Sequence, residues 1–195
     1  FVRQFSVVWV VFTFEEDALL GKISPYLIQP VNPFFRYLAQ HIAEQITRFP
    51  FAIVIALIFF LFNPESLWIP SIDVFFLASI STFFSFLIQF LIQSIIACLC
   101  FWTEKASAIE RLLFIPTLFF SGLLAPVISF PEYVKPWIYL TPFPYLIDFP
   151  ANLLSGNMTN VINGFAMQIL WISFLFPVFK KVWSMGTKKY TAMGS

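Results

Sequence analysis

Ser81, Ser85, Gln89 and Gln93 recur every four residues in a run, Val74 to Thr103, that carries no charge. Residues four apart share one face of a helix. The stripe offers hydroxyls and amides, groups that donate and accept hydrogen bonds without titrating. In a lipid solvent such groups seek partners or water, and polar residues often hold helices together. Two readings follow. The stripe lines a substrate path at a dimer seam, or it ties one helix to another. Other chemistry is sparse. His41 is the single histidine, expected at a surface or against headgroups. Asp73 and Asp148 are candidates to pair with Lys135 or to stand in water. Cys98 and Cys100 are two apart, so on a helix they face different ways, and they read as small core residues rather than a disulfide or metal pair. None of H-E-x-x-H, G-x-S-x-G or G-x-x-x-x-G-K-[ST] occurs. No catalytic residue, metal set or cofactor is therefore assigned to this chain. Without the phosphate-binding loop this chain cannot bind ATP in the usual way, so any ATPase would be another chain.

The elements that position the stripe follow from composition. The chain is 59% hydrophobic and 11% charged, with 28 phenylalanines and a mean hydropathy of +0.85. Soluble domains carry about 25% charged residues, so the solvent here is lipid. A net charge of +1 with no basic patch excludes nucleic acid as a partner. The pattern predicts an all-α, polytopic transmembrane protein with about four full spans and the end of a fifth. Phe1 to Phe14 is that end. An interfacial helix over Phe34 to Arg48 leads into a span over Ile46 to Phe62. The next covers Val74 to Thr103, the third Leu112 to Leu124, and the fourth Ile162 to Phe179, stopped by Lys180 and Lys181. Between the last two, Pro126 to Asn160 carries a proline every few residues. It predicts an outer-leaflet helical hairpin, broken at Pro136 and at Pro142–Pro144, that packs on the spans or caps a pathway. Lysine and arginine gather in the stretch before the first full span, in the Glu104–Arg111 loop and at the C-terminus, which places all three in the cytoplasm. Trp68 and Trp137 then mark the outer interface, and Trp102 and Trp183 the inner.

Phe14 to Pro33 interrupts this apolar chain with Glu15, Glu16, Asp17, Gly21 and three prolines. Pro25, Pro30 and Pro33 forbid one long helix, and Gly21 permits the positive φ that ends a helix after Leu20. A stiff cytoplasmic connector results, with Leu20, Ile23, Tyr26, Leu27 and Ile28 as apolar knobs; the bland alternative is a loop that merely joins two spans. Its pattern G-K-I-S-x-x-L-I-x-P-V-x-P resembles the cytoplasmic connector of permeases from type-2 ATP-binding-cassette (ABC) exporters. Two further segments are similar to that family. One spans Phe101 to Gly156: F-W, then F-F-S-G-L-L-A-P, F-P-E-Y-V, L-T-P-F-P-Y and P-A-N-L-L-S-G. The other is the C-terminal W-S-M-G-T-K-K-Y-T-A-M-G-S.

The resemblance implies a single permease domain over residues 1–195, with a connector at 15–33 and an extracytoplasmic segment at 126–160. It implies two ABC ATPase subunits as partners, a second permease subunit, identical or related, and an inner or plasma membrane location in a bacterium. The connector residues Gly21, Ser24, Pro25, Tyr26, Leu27, Pro30 and Pro33 would couple to the ATPase. Ser81, Ser85, Gln89 and Gln93 would face a translocation path or the dimer partner. Ser121, Gly122, Pro126, Pro142, Phe143, Tyr145 and Gly156 would shape the outer hairpin. Family members usually have six spans, so an N-terminally truncated chain is expected. The resemblance implies efflux driven by ATP bound elsewhere, and the absence of charge in the long runs favours a lipophilic or amphiphilic cargo over a small ion. The alternatives are an ATP-independent secondary carrier and a membrane-embedded lipid-handling protein.

Overall fold

The computed structural model describes residues 2–66, 69–103 and 105–193. Trp68 and Glu104, the first expected at the outer interface and the second at the start of a cytoplasmic loop, lie outside the described residues, as do the last two residues of the C-terminal motif. The described part is helical, with no strand. Residues 2–19 form two helices, α1 (Val2–Ser6) and α2 (Val10–Leu19), separated by a break at residues 7–9. Gly21 takes φ +69 and turns the chain into α3 (Ile23–Leu27). Pro33 then opens α4 (Phe34–Phe62). The expected interfacial helix and first span are thus one continuous helix.

Among the described residues, three helices are long and apolar enough to cross a membrane: α4, the stretch Ile72–Phe101 and Val161–Tyr190. The stretch Ile72–Phe101 comprises α5 (Ile72–Cys98) and a closing 3-10 turn. The third of the four expected spans was placed at Leu112 to Leu124. The helix there, α6 (Ala106–Phe120), is 15 residues long. At 1.5 Å per residue that is about 22 Å, short of a hydrocarbon core of about 30 Å. The last long helix, α9 (Val161–Met193), runs on beyond Lys180 and Lys181. Charge alone does not end a helix, and Lys has good helix propensity.

Pro126 to Asn160 folds as a 3-10 turn at Val127–Ser129, α7 (Lys135–Tyr139), a second 3-10 turn at Phe143–Tyr145, and α8 (Asp148–Leu154). Pro136 does not break a helix. It lies in the first turn of α7, where its missing N–H has no partner to lose.

The core forms around α5, which packs against α1, α2, α6, α8 and α9. The middle and C-terminal half of α5 are the buried part, whereas Phe75, Phe76 and Phe83 in its first half are exposed. At one end Phe14, Phe34, Phe101 and Trp183 close an aromatic cluster, with ring centroids 5.2 Å apart for Phe34–Trp183 and 5.3 Å for Phe14–Phe34. Trp183, expected at the inner interface, joins this packing. By contrast, the apolar half of α4 stands clear of the bundle: none of its most apolar window is buried. Phe51, Ile55, Leu57, Leu61 and Phe62 are all exposed there.

Candidate functional site

The connector is anchored on one side and bare on the other. Ile23 is 1% exposed and sits in the core, and Leu27 is half-buried against it. Ser24 Oγ lies 2.6 Å from the Tyr190 hydroxyl of α9. Asp17 is buried, accepts a hydrogen bond from the Tyr37 hydroxyl at 2.7 Å, and lies 3.6 Å from Arg36 Nη1. The Arg36 guanidinium in turn covers the Tyr26 ring at 4.4 Å. Glu15 holds the start of α6: its carboxylate accepts from the Ser107 N–H at 2.7 Å and the Ser107 hydroxyl at 2.9 Å. A carboxylate on the first turn satisfies an orphan N–H and complements the helix dipole. Pro33 is buried under these contacts, whereas Gly21, Pro25 and Pro30 are exposed. The outward side carries Leu19 at 69% exposure, Leu20 at 58%, Ile28 at 87% and Val31 at 58%. Of the five expected knobs, Leu20 and Ile28 are available, and Ile23 is not.

These contacts bring the connector, the start of α6 and the end of α9 together at one end of the molecule. Phe101 meets Tyr190 there at 5.7 Å. Gly186 allows α9 to approach, because a Cβ at that position would run into the Phe101 ring.

The polar stripe divides in two. Ser81 and Ser85 are fully buried and turn to α9. Gln168, itself fully buried, accepts from the Ser81 hydroxyl at 3.2 Å. Its Nε2 lies 3.0 Å from the Ser81 carbonyl, 3.1 Å from the Tyr145 carbonyl and 3.2 Å from Ser85 Oγ. The Ser85 hydroxyl also reaches the Tyr145 carbonyl at 2.7 Å. This half ties α5, α9 and the outer segment together.

Gln89 and Gln93 face the other way, toward α6 and the break between α1 and α2. Gln93 is buried; its Oε1 accepts from the Val11 N–H at 3.4 Å, and its Nε2 donates to Glu110 Oε1 at 3.1 Å. An open cavity of about 200 Å³ lies beside them, lined by Gln89, Gln93, Glu110, Phe114 and Thr117. A second hollow, about 70 Å³, shares those residues and extends to Val7, Val8 and Trp9. Broken backbone inside a membrane is tolerated where it is covered by protein or lines a cavity, and the α1–α2 break does the latter. Glu110 was expected in a loop. The carboxylate of Glu15 starts α6 early enough to put Glu110 on a helix facing Gln93. Gln168 could have been noticed as the one amide midway along an otherwise apolar span; Glu110 had no such local signal.

At the outer segment, Asp148 does not pair with Lys135, whose amine lies 2.6 Å from Glu132. The Asp148 carboxylate is buried. It accepts from the Val127 N–H at 3.1 Å and the Asn152 amide at 3.0 Å. Burial raises its pKa, and those two donors oppose the rise. The Asp148 N–H donates to the Ser121 carbonyl at 2.8 Å. Gly122, at φ +85, leaves room for this side chain, since a Cβ there would sit 2.7 Å from Asp148 Cβ. Pro126 and Pro142 supply the carbonyls that close the two 3-10 turns, to Ser129 at 2.9 Å and Tyr145 at 3.2 Å. Phe143 meets Phe120 at 6.4 Å. The Tyr145 hydroxyl donates to the Tyr139 carbonyl at 2.8 Å, and burial pushes its pKa up to about 12. Gly156 closes α8 at φ +84. These residues act as the joints of the outer segment.

His41 was expected at a surface. It is 3% exposed, with Nδ1 3.5 Å from Glu44. The cysteines are both free, Cys98 buried and Cys100 half-buried.

A family model described as ABC-2 family transporter protein matches residues 6–194. No curated protein and no solved structure matches the chain.

Proposed function

The chain belongs to the ABC-2 family of transporter proteins, and from that premise we infer that it is the membrane-spanning subunit of an ATP-driven exporter. It is a multi-pass membrane protein with a permease role. In this reading two ATPase subunits dock at the end where connector, α6 start and α9 end meet. That end, with the C-terminus, faces the cytoplasm of a bacterial cell membrane. A second permease, identical or related, completes the pathway. ATP and magnesium bind in the partner chains, and this chain is not itself an enzyme. The cargo is lipophilic or amphiphilic, because the long helices offer apolar walls.

One observation carries the reading. The connector is fixed to α4, α6 and α9 by Asp17, Glu15 and Ser24, yet presents Leu19, Leu20, Ile28 and Val31 to solvent. An element that relays motion needs this asymmetry: rigid toward the spans, sticky toward the motor.

Ile28→Asp tests it. Ile28 touches little of its own chain, so the variant is expected to reach the membrane at the normal level. ATP-driven transport in proteoliposomes should fall at least tenfold, about 1.4 kcal/mol of lost coupling, and co-purification of the ATPase should weaken. Leu27→Asp is less informative, since Leu27 also packs on the core. Normal transport by the Ile28→Asp complex would remove the connector from the coupling path. Sensitivity to a proton-gradient uncoupler but not to ATP depletion would move the assignment to a secondary carrier.

A further inference from the structure

We propose that the groove around Glu110 is a cargo subsite selective for organic cations, and that the chain therefore handles amphiphiles with an ammonium-type head. The proposal rests on the transport reading above and names the substrate class.

The polar floor consists of the Glu110 carboxylate with the Gln89 and Gln93 amides. Gln93 does two jobs. It accepts from the first turn of α2 and donates to Glu110, so the carboxylate is held at a fixed place on the cavity wall. Among the described residues no lysine, arginine or histidine forms an ion pair with Glu110; the ion pairs involve Asp17, Glu44 and Glu132. A fixed carboxylate facing a cavity in so apolar a protein attracts a positive charge. Arg3 stands at the rim of the smaller hollow and is the only cationic side chain among its lining residues. It is exposed and is not ion-paired with Glu110, so its charge opposes a bound cation without filling the site.

The walls fit the rest of such a ligand. Phe114 and Phe143 line the cavity, and Trp9 lines the adjoining hollow. Aromatic faces attract cations, quaternary ammonium above all. A volume of about 200 Å³ is below the range of about 300–1,000 Å³ for sites that enclose a drug-sized molecule. The groove therefore takes a head group and leaves an apolar tail to run along Ile92 and Leu113 toward lipid. Depth agrees. Glu110 is four residues into α6, about 6 Å from its start, near the end that carries the connector. An amphiphile partitioned in that leaflet presents its head at this level.

Equilibrium binding to the purified complex, without ATP, tests the proposal. The probes are dansylated and share a dodecyl chain; they end in trimethylammonium, hydroxyl or sulfonate. The wild-type complex is expected to bind the ammonium probe about tenfold more tightly than the hydroxyl probe, the ratio of one well-placed charge contact. Glu110→Gln should bring that ratio to within twofold, and elution at the wild-type volume as one peak on size exclusion reports a folded complex. Glu110→Asp should keep part of the preference, and Arg3→Ala should raise it. No ammonium preference in the wild type, or a preference that survives Glu110→Gln, overturns the proposal. So does a Glu110→Gln complex that loses the preference only together with its second permease on size exclusion, because the groove is then a seam between subunits. ATP-driven movement is read separately in proteoliposomes. If no probe moves while the ammonium preference stands, the exporter reading fails and the site survives.

Discussion

Gly122→Ala is expected to lower the stability of the purified protein by about 3 kcal/mol. Two costs combine. A non-glycine residue at φ +85 carries about 1–2 kcal/mol of left-handed backbone strain. The added Cβ would also sit 2.7 Å from Asp148 Cβ and 3.2 Å from its Cα, and forcing apart well-packed groups costs about 1–3 kcal/mol. Moving Asp148 stretches its bonds to the Val127 N–H and the Asn152 amide, so the joint of the outer segment opens as well. Gly21 provides the control. It also has a positive φ, +69, but nothing lies within 4 Å of its would-be Cβ. Gly21→Ala should cost only the backbone part, about 1 kcal/mol. Unfolding by SDS titration from mild detergent, followed by tryptophan fluorescence, measures both. Equal losses at the two glycines would mean that the Asp148 contact contributes nothing.

The pair of glycines also shows what a sequence can and cannot reveal here. Gly21 was legible because its role is local: an apolar stretch ends, a glycine follows, and prolines forbid resumption of one long helix. Gly122 was legible as part of a family pattern, but its partner is 26 residues away in the chain, and no window around Ser121 shows Asp148. The same distance hid Glu110. Read alone, Glu104 to Arg111 is a short charged loop between spans. Glu15, 92 residues earlier, caps Ser107 and converts most of that loop into the first turns of α6. The lysine pair at 180–181 bears on the span and not on the helix. Charge density bears on where a span can end, whereas helix ends report hydrogen bonding and backbone geometry, and α9 continues past both lysines unbroken. The stripe on α5 was visible in full. Its division between two neighbours was not, since the side chains that face it, Gln168 and Glu110, come from other helices.

That division gives the second large expectation. Gln168→Leu should cost about 2 kcal/mol of stability. Hydrogen bonds between membrane helices average only about 0.6 kcal/mol each, with a maximum near 1.7, because alternatives exist in the unfolded reference. Gln168 makes several at once, in a fully buried position. Replacing it leaves the Ser81 hydroxyl and carbonyl without their cross-helix partner, and an unsatisfied buried group costs about 1–3 kcal/mol. Two compensations hold the loss near the middle of that range. Ser85 still covers the Tyr145 carbonyl, and the Ser81 hydroxyl can turn back to a carbonyl one turn earlier on its own helix. Ser81→Ala alone should cost about 0.6 kcal/mol. Combined with Gln168→Leu it should add less than that, since residues in one network couple by about 0.5 kcal/mol or more. The same unfolding titration reads all three variants. A Gln168→Leu loss below about 0.5 kcal/mol would mean that packing, not this amide, fixes α5 to α9. In that event Ser81 and Ser85 would return to the candidates for the cargo path. With the larger loss they belong to the frame, and the path narrows to Gln89, Gln93 and the carboxylate that faces them.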